Sequence, residues 1–495
     1  MSVRDVRVVI AGSGFGGIAM AARLHARAMD DFVVLERGSD VGGTWRDNTY
    51  PGAACDVPSH LYSFSFATNP AWTHAFSPQP EIQAYLKRVA RDHGVLERCL
   101  FGAEMHSATW DEVSARWHVR TSRGDFRAQF LVGATGGLSD PASPDLPGLD
   151  AFKGATFHSA RWNHDYDLRG KSVAVIGTGA SAIQFVPQIA PLVDQLYVHQ
   201  RTAPWIVPRN DHARGRRERW IYRHIPGSQR AARTAIYWGR EAYVLFYAKR
   251  PALARLPQKM ADKHLTSQVP DPLLRKRLRP DFGFGCKRVL ISNDYYPALR
   301  RPNVELVTEP ITEVRTHSVV TADGAERPVD TIIFATGFHV TDLPVAKRIH
   351  NGAGVSLAEH WSDGMQALRG TTVEKFPNLF VIVGPNTGLG HTSMVFMIES
   401  QVNYIDDAIR QMDARGLAAM APTEAAVRTY NDEVQAKLAP SVWNTGGCRS
   451  WYLDARGRNT TLWPDFTFRF HRATRKVDLA EYDTVKVTAG SRVDR

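Results

Sequence analysis

Short, wholly apolar runs recur along this chain, and two sets of them follow one pattern. In the first set, the run from Val6 to Ala11 is apolar but for Arg7. Gly12-Ser13-Gly14-Phe15-Gly16-Gly17 follows it, and then IAMAARLHARA. An apolar run bounded by glycine reads as a buried strand, and the alanine-rich stretch after it reads as a helix. FVVLE (Phe32–Glu36) is a second strand, and FLVGATGG (Phe130–Gly137) closes the set as a strand ending in glycine. The second set repeats this order with KSVAVIGTGASA (Lys171–Ala182), LYVHQ (Leu196–Gln200) and TIIFATGF (Thr331–Phe338). Between Asn210 and Asp281 the spacing turns helical, and NLFVIVGPN (Asn378–Asn386) reads as a last strand returning to the first set. It is followed by the small-residue turn TGLGHTS and the helical MVFMIESQVNYI.

A strand, a glycine turn and a helix make a dinucleotide site. Gly12 permits the tight turn, Gly14 lets the backbone approach a pyrophosphate, and Gly17 lets helix and strand pack closely. The helix start then faces the phosphates. Glu36 ends the second strand 24 residues after Gly12, where a carboxylate holds ribose hydroxyls. In the second set Gly177, Gly179 and Ala182 occupy the corresponding positions, and Arg201 and Thr202 follow at the same offset. A carboxylate repels a 2′-phosphate and a guanidinium attracts one. The first unit is therefore expected to hold FAD and the second NADPH; the alternative for Arg201 is a plain surface position. The expected fold is α/β, with two Rossmann-like domains and a helical insert in the second. The expected boundaries are 1–140 (FAD-binding, first part), 141–170 (linker), 171–209 (NADP-binding, first part) and 210–281 (insert). Residues 282–375 then complete the NADP-binding domain, and 376–495 return to the FAD-binding domain with a segment lining the substrate pocket. Such a pair of units means a flavin reduced by nicotinamide. The reduced flavin could serve a disulfide or oxygen, and no CxxC lies near the flavin unit.

Composition adds limits. A chain of 495 residues, 43% hydrophobic and 22% charged, suggests two or three ordinary globular domains. The net charge of +11 is concentrated, because eleven Lys/Arg against two Glu lie between Arg214 and Arg255. A local basic segment is a weaker nucleic-acid signal than a basic fold, and no nucleic-acid partner is expected. Within it, RRERWIYRHI and TAIYWGREAYVLFYAKR mix arginine with Trp, Tyr and Ile. One reading is a lid lying on a lipid surface; the favoured expectation is a helical subdomain with its aromatics packed inward and a solvated basic face. Cys55, Cys99, Cys286 and Cys448 are far apart, so neither a disulfide framework nor a zinc site is expected, and Cys448 reads as a packing residue. That usage, an N-terminus that enters a strand by Val6, and the lack of any apolar run of about 18 residues lead to the expectation of a cytoplasmic protein without signal peptide or membrane span.

Two further stretches carry chemistry-bearing side chains. Val41–Trp45 (VGGTW) and Asn48–Phe66 form a loop with Trp45, Tyr50, Asp56, His60 and Tyr62. Taken alone, Asp56 reads as a turn or capping residue. His391, in the TGLGHTS turn, is either a site residue or a turn stabiliser. FKGATFHSARW (Phe152–Trp162) joins the two units and on residue types alone reads as a packed linker.

Phe152, Gly154, His158 and Trp162 fit FxGxxxHxxxW, and GGTW, YPGAACD, GTGASAIQ, QRT, GCKR, ATGF and SWY follow in order. In these motifs the chain resembles the type I Baeyer–Villiger monooxygenases. Related flavin-containing and N-hydroxylating monooxygenases usually lack the tryptophan matched by Trp162. The chain departs from the family at Asn163, where Pro or Asp is common, and at Gly137, where many members have Gln. The resemblance implies an FAD-dependent, NADPH- and O2-using enzyme that turns an apolar ketone into an ester or lactone through a peroxyflavin. It implies that Asp56 pairs with Arg288 over the flavin and that Thr44 and Trp45 belong to the cofactor site. It further implies that Arg201, Thr202 and Lys287 hold the 2′-phosphate, and that Trp451 contacts the nicotinamide side. The physical case for Arg288 is that an oxygen anion needs a fixed cation in a dry site, oriented by a carboxylate whose own pKa then falls. Phe152, Gly154, His158 and Trp162 are expected to brace the domains. A monomer or homodimer is expected. The rivals are a flavin monooxygenase of sulfides or amines, and a membrane-associated binding protein with a vestigial flavin fold.

Overall fold

The computed structural model describes residues 3–487. Two parallel sheets carry the two sequence units. In the first, Cys99–Phe101, Phe32–Glu36, Arg4–Ala11 and Gly124–Gly133 lie side by side in parallel, and Leu379–Val381 pairs with the end of Gly124–Gly133. Arg116–Thr121 and Met105–Asp111 extend the sheet antiparallel. Val8 to Ala11 are buried on both faces, as a continuous apolar run requires. Val8 and Ile10 pack with Ile18 and Leu24 on one side. Val9 and Ala11 pack with Trp110 and Trp117 on the other. The chain comes back to this sheet earlier than its pattern suggests, because Ile349–His350 pairs with Ala108 and Thr109. Two residues are too short a strand to leave a period.

The second sheet is wholly parallel, in the order Val304–Val307, Gln195–His199, Ser172–Ile176, Thr331–Phe334, Ala155–His158. Its last strand lies inside FKGATFHSARW, which is therefore built into the second sheet as an edge strand, with Phe334 opposite His158. The two glycine turns are near copies. Gly12 has φ +107° and Gly177 φ +110°, and a Cβ would lie 2.6 Å from Ala134 O at the first and 2.5 Å from Ala335 O at the second. Only glycine fits there.

The insert is helical, with Arg216–His224, Ser228–Glu241, Arg255–Gln268 and Pro272–Arg277. The expectation that its aromatics pack inward holds for Tyr222, Tyr237 and Tyr247, the last buried with Val244 and Ala248, but not for its tryptophans. Trp220 and Trp238 are each 55% exposed, and Ile221 and Ile225 are exposed beside them. The insert's inward contacts are partly polar: Arg214 Nη1 donates to His60 Nε2 at 2.7 Å, and Arg233 Nη1 donates to the carbonyls of His60 and Ser63, each at 2.8 Å. Ile236 and Tyr237 pack inward beside them, Tyr237 stacking on Phe396 at 5.1 Å.

The cysteine expectation is corrected as well. Cys286 and Cys448, separated by 162 residues, form a disulfide. Cys448 is thus a bridge rather than a packing residue, and the cysteines no longer argue for a reducing compartment. Among the described residues no helix is long and apolar enough to cross a membrane, and no group of His, Cys, Asp and Glu could hold a metal ion.

Candidate active site

Asp56 and Arg288 meet where the first domain's loop faces the second domain. Arg288 Nε donates to Asp56 Oδ2 at 2.7 Å, and its Nη2 reaches the same oxygen at 2.6 Å. Arg288 Nη1 also donates to the Leu389 carbonyl at 3.3 Å, in the turn after the returning strand. One guanidinium therefore joins three segments that are far apart in sequence. Both side chains keep about a quarter of their surface open, 28% for Arg288 and 27% for Asp56. The pair is fixed yet accessible. Burial pushes the Asp56 carboxyl upward, but the charge and hydrogen bond of Arg288, joined by the charge of Arg240, outweigh it and hold the carboxyl below its usual value. Arg288 is raised in turn, chiefly by the Asp56 charge.

The loop from Asp281 to Val289, which leads into the strand Leu290–Ile291, carries Lys287 beside Arg288. Lys287 Nζ donates to Thr202 Oγ1 at 2.7 Å. Burial lowers the Lys287 pKa, and the nearby charge of Arg201 lowers it further. Lys287 and Thr202 thus meet directly, while Arg201 is exposed and near enough for its charge to act on Lys287.

The glycine turns fit two dinucleotides. At Gly14 a Cβ would meet only the Gly43 Cα, at 3.7 Å, and at Gly179 it would meet nothing within 4 Å. Each second glycine is therefore open on the side from which a pyrophosphate approaches, while a Cβ at Gly17 would lie 1.9 Å from Gly12 O. Ala182, at the third position of the second turn, is fully buried. Glu36 is more committed than its position suggests. It accepts from Ser13 N at 3.0 Å, Ser13 Oγ at 2.6 Å and Gly38 N at 2.7 Å, and it pairs with Arg46 at 2.6 Å. These contacts fill the roughly four lone-pair sites of a carboxylate, so a ribose hydroxyl is held only if one of them yields. Burial works against the Glu36 charge, but Ser13, Arg46 and Gly38 together keep its pKa below the usual value. Thr44 starts a short helix, Thr44–Asp47, and Trp45 Nε1 donates to the Tyr62 hydroxyl at 2.9 Å.

Residues 9–214 match the pyridine nucleotide-disulphide oxidoreductase family. Over 482 residues the chain is 52% identical to a Baeyer–Villiger monooxygenase of Streptomyces coelicolor, covering 97% of this chain and 93% of that protein. It is 48% identical to one of Pseudomonas aeruginosa, with 97% and 92% covered. The chain belongs to the type I Baeyer–Villiger monooxygenases. Among solved structures it is similar to cyclohexanone monooxygenase from Rhodococcus sp. Phi1 bound to NADP+, at TM-score 0.87 and 28% identity, over 98% of this chain and all of that one.

The Baeyer–Villiger fingerprint has a local role in the second domain. Phe152 is buried with Val314, Ile332 and Phe334, and a Cβ at Gly154 would lie 2.3 Å from Asp330 O. His158 Nδ1 accepts from Ala160 N at 3.1 Å, and burial pushes the ring pKa down to about 4. Trp162 packs against Phe157 and Phe185, with ring centroids 5.2 Å away in each case. His391 is buried against Glu241 of the insert at 3.4 Å, and Glu241 also accepts from Thr467 N at 2.8 Å and Oγ1 at 2.7 Å. Its observed role is a tie between insert, turn and C-terminal segment. Trp451 is 44% exposed, whereas the neighbouring Tyr452 is buried within reach of the Arg288 charge. Sequence reasoning missed Arg46, Arg240, Tyr452 and the disulfide. Arg46 follows GGTW directly and could have been read as the partner of Glu36, and Tyr452 closes the SWY motif beside Trp451; nothing in the sequence marks Arg240 or the disulfide.

Proposed function

We propose that Arg288, held by Asp56, is the cation that stabilises negative charge developing on oxygen as a ketone is converted to an ester or lactone. As a Baeyer–Villiger monooxygenase the chain is an NADPH-dependent flavoprotein that uses FAD and O2. FAD supplies the oxygen activation and NADPH the hydride when bound; the residues supply position and charge.

The observation that carries the assignment is the Arg288–Asp56 pair, reached from both domains and closed on one side by the Leu389 carbonyl. A guanidinium stays protonated at every working pH, so its charge is always present. Asp56 fixes its plane. Because the Asp56 pKa is depressed in the folded protein, its contribution to stability is present above the unfolded value of about 3.9 and is lost only as pH falls through the lower folded value. The pair is therefore intact across the neutral range. Tyr247, Phe284, Trp443 and Tyr452 form one apolar cluster with Leu389 around this end of the site. Such walls exclude water, which strengthens a fixed charge, and they suit an apolar ketone. Lys287, Arg201 and Thr202 would hold the 2′-phosphate of NADPH, and the turns at Gly12–Gly17 and Gly177–Ala182 would hold the two pyrophosphates.

The test is Arg288→Ala in the FAD-loaded enzyme, with ester formation and NADPH oxidation measured together. Ester formation is expected to fall by about 100-fold or more, as when a main charge-stabilising donor is lost, while NADPH oxidation continues. Full ester formation in the variant would sink the assignment.

A further inference from the structure

The insert presents an outer face that the oxygenation chemistry does not use. Its first two helices, Arg216–His224 and Ser228–Glu241, both dock on the same short segment of the first domain. Tyr222 lies against the His60 ring at 4.3 Å, and Arg233 donates to the carbonyls of His60 and Ser63. Since both helices turn their inner faces to residues 60–63, their opposite stripes point away from the body of the protein. Those stripes hold Trp220 and Ile221 on the first helix, Ile225 just past its end, and Trp238 on the second, with exposures of 55%, 40%, 47% and 55%. The Trp238 ring lies beside that of Phe468. A cleft opens among Arg216, Arg217, Trp220 and Ile221, and its lining is apolar.

The same stripes are basic. Arg216, Arg217, Arg223 and Arg230 are exposed, and none has a carboxylate partner among the described residues. The arginines that are paired, Arg214 with Glu218 and Arg233 with Glu399, are the ones turned inward. Exposed tryptophan and isoleucine among unpaired arginines cannot be explained by the fold, which buries neither. We infer that this face docks the protein on an anionic lipid surface. Arginine meets the phosphates, while indole and isoleucine side chains enter the boundary between headgroup and acyl chain.

Charge decides between occupants. A second copy of the chain would bring eleven Lys/Arg and two Glu against the same excess, which repels. A nucleic acid would satisfy the arginines but leave Ile221 and Ile225 in water. An anionic bilayer accommodates both sets, and it needs no helix that crosses it. Each arginine near such a surface strengthens attraction by about fivefold, and salt weakens it. The inference is independent of the oxygenation assignment, since binding is read without turnover.

The experiment is flotation of the FAD-loaded protein with vesicles of equal parts phosphatidylglycerol and phosphatidylcholine, and with phosphatidylcholine alone, at low and high salt. The protein is expected to float with the anionic vesicles at low salt, and about tenfold less with phosphatidylcholine or at high salt. Trp220→Ser with Trp238→Ser is expected to lower the bound fraction by about tenfold, with circular dichroism and NADPH oxidation unchanged. Arg217→Glu with Arg223→Glu is a second variant expected to do the same. Absence from the anionic vesicles at low salt overturns the inference. So does binding that both variants retain, which would place the contact on another surface, or binding that duplex DNA removes while the tryptophan variant leaves it intact, which would describe a mere polycation.

Discussion

Lys287 shows how much a single side chain can be asked to do here. Its ammonium is half-buried, lies 5.0 Å from the Phe282 ring centroid, and is depressed in pKa by burial and by Arg201. A cation kept in that position, with Asp281 near but no carboxylate in direct ion-pair contact among the described residues, costs free energy that a bound phosphate offsets. A charge-assisted hydrogen bond contributes about 1.5–3 kcal/mol, or roughly 10- to 100-fold in an equilibrium. Lys287→Ala is therefore expected to raise KM for NADPH by about 10- to 100-fold and to leave KM for NADH nearly unchanged, because NADH has no 2′-phosphate. Steady-state kinetics with both cofactors at one ketone concentration make the comparison. An equal loss with NADH would show that Lys287 holds some other part of the nucleotide. The contrast with Glu36 is instructive. Glu36 is already saturated by Ser13, Gly38 and Arg46, so in this structure it stiffens the turn, and a ribose hydroxyl would have to displace one of those partners.

At the scale of elements, the disulfide is the feature with most leverage. It joins the loop that carries Lys287 and Arg288 to the loop that precedes Trp451, and Gly283 N donates to Gly446 O at 2.8 Å beside it. Closing so long a loop restricts the unfolded chain, and bridges of this kind contribute about 2–4 kcal/mol. Under oxidising conditions the unfolded protein is expected to titrate two thiols, Cys55 and Cys99, before reduction and four after it. Cys448→Ser is expected to lower the unfolding free energy by roughly 2–4 kcal/mol without reductant, and to match the wild type once reductant is present. Four thiols before reduction would remove the bridge. The strands and glycine turns were legible because each is a local matter of apolar run and positive φ, as at Gly12 and Gly177. The Arg288–Asp56 pair was legible only through motifs in family order, since nothing local links positions so far apart. Cys286–Cys448, the Ile349–His350 strand and the outward tryptophans were illegible for one reason. Each depends on which distant segment lies beneath, and periodicity carries no such information.

Taken as a whole, the molecule depends on two domains holding Asp56 and Arg288 in register, and side chains that cross between them enforce this. Gln184, on the helix after the second glycine turn, does so most directly. Its Oε1 accepts from the Tyr50 hydroxyl at 2.9 Å and lies 3.4 Å from Ala54 N, while its Nε2 donates to Ala54 O at 3.0 Å. Ala54 stands two residues before Asp56, so the second domain grips the first domain's loop next to the carboxylate. Gly52, at φ +79°, brings that loop so close that a Cβ would lie 2.7 Å from the Gln184 carbonyl. Gln184→Ala keeps the helix, since alanine is the better helix former, and leaves Ala54 and Tyr50 without their partner. Asp56 would then shift against Arg288, and misplacement of a reacting group by even 1 Å can cost about 100-fold. The expected result is poorer coupling: several-fold more hydrogen peroxide per NADPH consumed, less ester, and unchanged FAD content. Peroxide and ester are measured in one reaction, beside the thermal midpoint. A lower midpoint with coupling intact would mean that Gln184 only stabilises the fold, and the register of the two domains would have to be set by other contacts, such as Thr49 with His164 at 2.7 Å.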